Sequence, residues 1–371
     1  MSFFVLLTLF IERGQNMKAS SHAQRVNRRR YAIPFFLLIA LFLMTIGAMD
    51  ASAQSQSKAA AYYKGKNINF IIPYKPGGGY DTYSRILKPY LEKYTGARVV
   101  MRNIPGAGGL LGVNETYTAS PNGLTIGIQN AVASVTNQMS EIDGVRYDFT
   151  KFSWLGRMAT NVRALVVRKD SSYKNIQDLT NAKEKIKMGA TGLGGSTYVD
   201  AVITMETLGL PLDIVHGYDS SKEMDMGMLR GEIEALWGSY SSRRKMVKAG
   251  EQFIILQSGK KRSSAIPDVP TWFEVAPSEK AKQILTVLTA MHETGRPIAG
   301  PPGISSERLE FLREAFYKAM HDPDFLKDAK KAKRVLSYLS GEDMGQLAKD
   351  SMIIEDENIK QLFIRAIKGS I

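Results

Sequence analysis

Three glycine-rich turns carry the chemistry this chain has to offer. The first closes Asn67-Ile-Asn-Phe-Ile-Ile-Pro-Tyr-Lys-Pro-Gly-Gly-Gly-Tyr-Asp81, and the second closes Arg98-Val-Val-Met-Arg-Asn-Ile-Pro-Gly-Ala-Gly-Gly109. The third is Gly189-Ala-Thr-Gly-Leu-Gly-Gly-Ser-Thr197. Each follows a short apolar run and opens a stretch with helical periodicity. Glycine lets bare backbone N–H groups approach a guest, and the helix N-terminus behind adds partial positive charge. Such turns suit an anion. In the third, Ser196 or Thr197 is a natural N-cap, and hydroxyls beside free N–H groups favour a carboxylate.

Catalytic sets do poorly by comparison. Gly106-Ala-Gly-Gly-Leu-Leu-Gly112 fails the dinucleotide fingerprint, because Leu111 stands where its last glycine should be, and Gly77–Asp81 lacks the Gly-Lys-Ser/Thr ending of a phosphate loop. There is no H-E-x-x-H pair and no G-x-S-x-G elbow. Beyond residue 53 the histidines are His216, His292 and His321. His292 and His321 fall in helical stretches and read as solvated surface residues; His216 either borders a cleft or is structural. No catalytic residue, metal site or cofactor is expected. With no cysteine, disulfides, thiolate nucleophiles and a lipidated N-terminal cysteine are all excluded.

The elements that position the turns alternate between apolar and amphipathic, as in an α/β protein. Strands are expected at Ile68–Ile72, Val99–Arg102, Thr125–Gln129, Ser153–Met158, Ala164–Arg168, Ile186–Ala190, Leu212–Val215, Ala235–Trp237 and Phe253–Leu256. Helices are expected at Thr82–Tyr94, Leu110–Thr118, Thr197–Leu208, Ser221–Arg230, Ser241–Ala249 and Ser278–His292. From Ser305 the chain reads as helix, capped by Ser305 or Ser306 and interrupted at Asp322-Pro323. Two segments read as crossings between lobes: Ala159–Arg163, and Gly295-Arg-Pro-Ile-Ala-Gly-Pro-Pro-Gly303, a stiff extended connector. Two crossings imply a first lobe of residues 54–160 and 295–371, with a second lobe of residues 161–294 inserted.

The N-terminus is read as an export signal. From Met17 come Arg25, Arg28, Arg29 and Arg30, an apolar run from Tyr31 to Met49, and Ala51-Ser-Ala53. These are the three regions of a secretory signal over residues 1–53, cleaved after Ala53. An uncleaved membrane anchor is the alternative. Residues 1–16 precede a second methionine and read as a mis-assigned start. Removing residues 1–53 takes away six basic and two acidic side chains and lowers the net charge from +13 to +9. That charge is spread along the chain; the one cluster, Lys260-Lys-Arg262, lacks interleaved aromatics, so nucleic acid is not an expected partner.

Taken in order, the motifs resemble the solute receptors of tripartite tricarboxylate transporters, the Bug-type periplasmic binding proteins. The carriers are Ile-Ile-Pro-Tyr-Lys-Pro-Gly-Gly-Gly-Tyr-Asp81, Asn103-Ile-Pro-Gly-Ala-Gly-Gly109, Ser120-Pro-Asn-Gly-Leu-Thr125, Ala190-Thr-Gly-Leu-Gly-Gly-Ser196, Gly217-Tyr218, Ile266-Pro-Asp-Val-Pro-Thr271 and Gly300-Pro-Pro-Gly303. The resemblance implies a type II periplasmic-binding fold, two α/β lobes closing on a small organic acid held by backbone amides of facing turns. It also implies delivery to a permease of one large and one small membrane subunit, driven by an ion gradient, and no enzymatic activity. A monomer is expected. Two departures stand out. Tyr80 occupies a place where many relatives have a small hydroxyl residue, so it narrows the pocket or stacks on a ligand. Trp272-Phe-Glu-Val-Ala-Pro enters a helix without the usual glycine-bearing linker.

Gly77, Gly78 and Gly79 are therefore expected at the ligand, with Tyr80 either lining the cleft or stapling the helix start. Asp81 either caps the helix near Thr82 or accepts a hydrogen bond from a ligand amine or hydroxyl. Tyr74 is pocket wall or core. Asn103, Gly106, Ala107 and Gly108 form the neighbouring turn, and Gln129 and Asn130 end the third strand, where amides could bond a carboxylate. Thr191, Gly194, Ser196 and Thr197 come from the second lobe. Tyr218 and Trp237-Gly-Ser239 follow later strands and could supply a wall, with either aromatic otherwise core. Arg102 and Arg163 are candidates for a direct carboxylate clamp. The rival functions are a receptor that signals to a sensor kinase and a secreted α/β enzyme using Asp81 with Tyr80 or Tyr218.

Overall fold

The computed structural model describes residues 56–160 and 162–368. The signal sequence read over residues 1–53 lies outside them. Among the described residues no helix is long and apolar enough to cross a membrane.

The chain begins with β1 (Asn67–Ile72), β2 (Arg98–Asn103), β3 (Thr125–Ile128) and β4 (Ser153–Arg157). It then builds β5 (Arg163–Arg168), β6 (Ile186–Gly189), β7 (Leu212–Val215), β8 (Ala235–Ser239) and β9 (Gln252–Gln257). It returns through β10 (Pro297–Gly300) and β11 (Leu339–Ser340). Two sheets result, in the orders β11-β4-β10-β3-β1-β2 and β7-β6-β8-β5-β9. Both belong to one unit, residues 59–371.

Nine of these strands lie within two residues of their expected limits. The connector Gly295–Gly303 is different: Pro297–Gly300 is β10, set antiparallel between β3 and β4. Proline is tolerated there because it is the first residue of the strand. The helix Ala131–Met139 was also unforeseen; its residues 131–137 are all buried, so it shows no polar stripe.

Within each sheet one strand sits where the direction of progression reverses. β1 pairs in parallel with both β2 and β3, and β6 with both β7 and β8. Ligands of open α/β sheets bind outside the carboxyl ends at such switch points. The first and third glycine turns leave β1 and β6 there.

The crossing segments approach closely. Arg296 N–H donates to the Ala159 carbonyl at 2.8 Å, and Met158 N–H to the Arg296 carbonyl at 3.0 Å. Gly295 has φ +61, and a Cβ there would lie 2.1 Å from the Ala159 oxygen, so only glycine fits. Phe363 and Ile367 of the C-terminal helix Glu357–Ile367 share an apolar cluster with Val199, Leu285 and Trp237 of the inserted segment and Val135 of the first. The C-terminal helix thereby packs across both parts.

Caps differ in detail from expectation. Pro323 opens a helix whose N-cap Asp322 accepts from the Asp324 and Phe325 N–H groups. Ser305 holds an N-cap position but makes no capping bond. The helix Ser196–Leu208 is preceded by Gly195, and Thr197 Oγ1 accepts the Thr191 N–H at 2.8 Å.

Candidate functional site

A small cavity of about 40 Å³ lies between the two sheets, walled by the first and third turns and by Ser221, Ser239 and Ser242. Four helices start at this wall: Gly79–Thr95, Ser196–Leu208, Ser221–Leu229 and Tyr240–Lys248. The first N–H groups of a helix lack intrahelical partners, and its dipole is positive there. Four such termini around one cavity create a field that favours an anion.

At the floor lies Arg296, 4% exposed. Its guanidinium packs over the rings of Tyr80, 4.2 Å from the centroid, and Tyr83, 5.0 Å. Nη2 donates to Ser239 Oγ at 3.2 Å, while Nε and Nη1 are buried without a hydrogen-bond partner. Among the described residues no carboxylate pairs with it. Cation–π contact is worth about 2 kcal/mol when desolvated, against several kcal/mol for burying an ion. Arg296 is thus an uncompensated charge aimed at the cavity. It lay in the Gly/Pro stretch read as a connector, where no local signal marks it.

Arg163 also lines the cavity, but its charge is already engaged. It pairs with Asp200, which accepts a second bond from His292 Nε2 at 2.8 Å. Burial alone would raise the Asp200 carboxyl, yet Arg163 and His292 outweigh it and hold it below its usual range. His292 is 7% exposed and stacks on Trp272, which corrects its reading as a solvated residue: Asp200 draws it inward. Arg163 opens β5 after the first crossing and His292 precedes the second, so Asp200 ties both crossings to one helix. Arg102 lies at the surface near Glu115 and is not at the cavity.

Of the expected site residues, the cavity brings together Tyr74, Gly78, Gly79, Tyr80, Thr191, Ser196 and Thr197. Tyr80 stacks on Tyr74, centroids 4.9 Å apart, so its ring is occupied by Tyr74 and Arg296. Burial raises the Tyr74 hydroxyl well above its ordinary range and keeps it neutral. It donates to the Gly108 carbonyl at 2.7 Å and accepts from Asn130, whose amide also reaches Ser196 Oγ at 3.3 Å. Asn130 is in this way a bridge between lobes beside the cavity.

The others serve elsewhere. Asp81 is the third residue of its helix rather than its cap. Its carboxylate accepts from Gly77 N–H at 2.9 Å, Arg85 at 2.8 Å and Asn103 at 3.0 Å. Burial would lift it, but these bonds hold it below the usual carboxylate range. Asp81 and Asn103 therefore lock the first two turns together. Gly77 faces a second, neighbouring cavity. Gln129 bonds the Gly127 carbonyl, and Tyr218 bonds Glu232. Trp237 is fully buried against Trp272 and bonds Thr204, so it is core, not wall. His216 is exposed, edge-on to Tyr198.

Ala107 and Gly108 meet the opposite lobe at Gly192, while Gly106 faces Leu111 in the helix that follows. A Cβ on Gly108, at φ +65, would come within 2.9 Å of the backbone of Gly192, Leu193 and Gly195. Gly194 likewise abuts Asn137. Gly108→Ala is expected to prop the lobes apart, weakening cleft binding about tenfold or more. Small-angle scattering with calorimetry would check this; an unchanged radius of gyration and affinity would contradict it.

Gly238 and Ser239, expected as wall beside Trp237, do line the cavity, whereas Ser221, Met224, Ser242 and Arg296 were not anticipated. The serines sit at helix starts, a legible signal; Arg296 and Met224 carry none.

A family model described as tripartite tricarboxylate transporter family receptor matches residues 84–363. The UPF0065 protein in the gbd 5′ region of Cupriavidus necator is 24% identical over 347 residues, covering 91% of this chain and 98% of that protein. The UPF0065 protein in the ttuE–ttuC′ intergenic region of Agrobacterium vitis is 25% identical over 290 residues, 76% of this chain and 78% of that one. Among solved structures, periplasmic binding protein BugD superposes with TM-score 0.67 at 20% identity, covering 82% of this chain and 98% of that chain. MatC from Rhodopseudomonas palustris with bound malate also gives 0.67, at 15% identity, covering 80% and 99%. The fold is that of two-lobed periplasmic binding proteins.

Proposed function

Because this chain belongs to the tripartite tricarboxylate transporter receptor family, we propose that it is an exported receptor which captures a small organic carboxylate by lobe closure. One observation carries this reading: Arg296, buried in the cavity with two unpartnered guanidinium nitrogens and no acidic partner among the described residues. A carboxylate there completes the arginine fork with paired charge-assisted hydrogen bonds. N–H groups at Gly78–Gly79 and the Ser196 and Ser239 hydroxyls supply donors for the remaining oxygens.

The reading extends to the lobe limits 54–160 with 295–371 and 161–294, closing about the crossings near Ala159 and Arg296. The signal over residues 1–53 directs the chain to the periplasm, and the loaded receptor delivers its ligand to a membrane permease. Capture needs no bond to be made or broken. The carboxylates bound by the relatives, malate in MatC and adipate in Rpa4515 of R. palustris, support the ligand class.

Thermal shift of the protein against mono-, di- and tricarboxylates, amino acids, nucleotides and cations tests the proposal. A ligand at a hundred times its dissociation constant adds about 2.7 kcal/mol of stability. A rise in melting temperature confined to carboxylates is expected. A response only to nucleotides or cations would refute the assignment.

A further inference from the structure

Next to the cleft lies a larger cavity open to solvent, sharing the wall of Gly79, Ser221 and Ser242 with it. Six cationic side chains line this second cavity: Lys222, Arg243, Arg244, Lys245, Lys333 and Arg334. Its one carboxylate, Asp225, is taken by Arg243. Among the described residues no carboxylate lies within ion-pair range of the other five. Arg334 is half-buried, its Nη1 donates to the Ser241 carbonyl at 2.8 Å, and its Nε is buried without a hydrogen-bond partner. Burial above all, and then the like charges of Arg296 and Arg243, pushes its pKa down.

Lys333 adds an independent observation. It follows the helix Pro323–Lys331 at φ +58, in the left-handed region. Its N–H donates to the Lys330 carbonyl, and that of Arg334 to the Ala329 carbonyl. This is the helix-ending motif whose left-handed position is usually glycine. An L-residue is strained there, yet this one brings an ammonium to the cavity wall.

The cavity is composite. Lys222, Arg243, Arg244 and Lys245 come from the segment inserted between the crossings, Lys333 and Arg334 from the segment after them. We propose that this cavity is a second binding site, separate from the carboxylate cleft, for a multivalent oxyanion such as a polyphosphate or polycarboxylate. An anion seated between the two sets of cations holds the lobes together. By linkage, occupation of either site then strengthens the other.

Calorimetry with inorganic tripolyphosphate tests the site without reference to the cleft ligand. One equivalent is expected to bind, less tightly as salt rises. Lys333→Gly is expected to weaken it about tenfold while raising the melting temperature of the ligand-free protein, since glycine relieves the strain. Arg244→Glu is expected to abolish binding. Arg296→Gln, whose side chain faces the cleft, leaves one equivalent bound. Failure of tripolyphosphate to bind, equal affinity in Lys333→Gly, or loss only in Arg296→Gln would each overturn the proposal. So would binding to phosphatidylglycerol vesicles without binding of free tripolyphosphate, which makes the patch a membrane-surface contact instead.

Discussion

Arg296→Gln is expected to reduce carboxylate affinity by a hundredfold or more while leaving the ligand-free fold at least as stable. The two halves of this expectation have one cause. In the ligand-free protein the guanidinium is buried and, among the described residues, compensated by Tyr80, Tyr83 and one serine hydroxyl alone. Removing it relieves a desolvation cost, and the shorter amide retains a donor for Ser239. With a carboxylate bound, the same group makes charge-assisted hydrogen bonds, each worth about 1.5–3 kcal/mol. Two of them lost amount to a hundredfold or more in affinity. Arg296→Lys keeps the charge but not the fork, so its affinity should fall between the two. Calorimetry paired with thermal denaturation reads both quantities. Affinity within threefold of the parent would mean that the ligand's charge is met elsewhere.

Asp200→Asn should produce the largest loss of stability. Asp200 is fully buried and holds Arg163 on one side and His292 on the other. The amide leaves the Arg163 charge buried and unpaired, at a cost of about 3–5 kcal/mol. A fall of roughly 5–10 °C in melting temperature follows for a chain of this size. The pH dependence has a definite sign. The folded carboxyl titrates below its unfolded value, so its contribution is present above about pH 4 and is lost as the solution is made more acidic. The variant lacks that contribution, and its stability should therefore approach the parent's only in strong acid. A constant difference between the two proteins down to pH 2 would argue against the ion pair. Because Asp200 anchors both crossings, the variant should also bind less tightly at pH 7, even though the residue does not line the cavity.

Much of the fold was legible because its signals are local. Runs such as Ile68–Ile72 and Ala164–Arg168 are buried on both faces and read as continuous apolar segments. The glycine turns were legible as breaks between such runs and helical periods. β10 was hidden because Pro297 and the surrounding glycines read as linker, although its partners β3 and β4 complete its pairing. β11, two residues long, carries no period. In the site, position along the chain suggested that both turns of the first lobe face the ligand. The structure divides them: Gly78 and Gly79 wall the cavity, while Gly108 meets the opposite turn. Arg296 and Asp200 were invisible for a different reason. Their meaning depends on Tyr80 and Ser239 for Arg296 and on Arg163 and His292 for Asp200, the nearest of them 37 positions away, and no spacing in one sequence encodes such a meeting.

The central claim is that a carboxylate is read by Arg296 between the turns of two lobes. The most direct measurement is a crystal structure of the protein with the best carboxylate from the thermal screen. The predicted result is a carboxylate within about 3 Å of the Arg296 guanidinium, with its remaining oxygens on the N-terminal turns at Gly78–Gly79 or Ser196. A ligand whose carboxylate lies away from Arg296, with the guanidinium still unpartnered, would contradict the account.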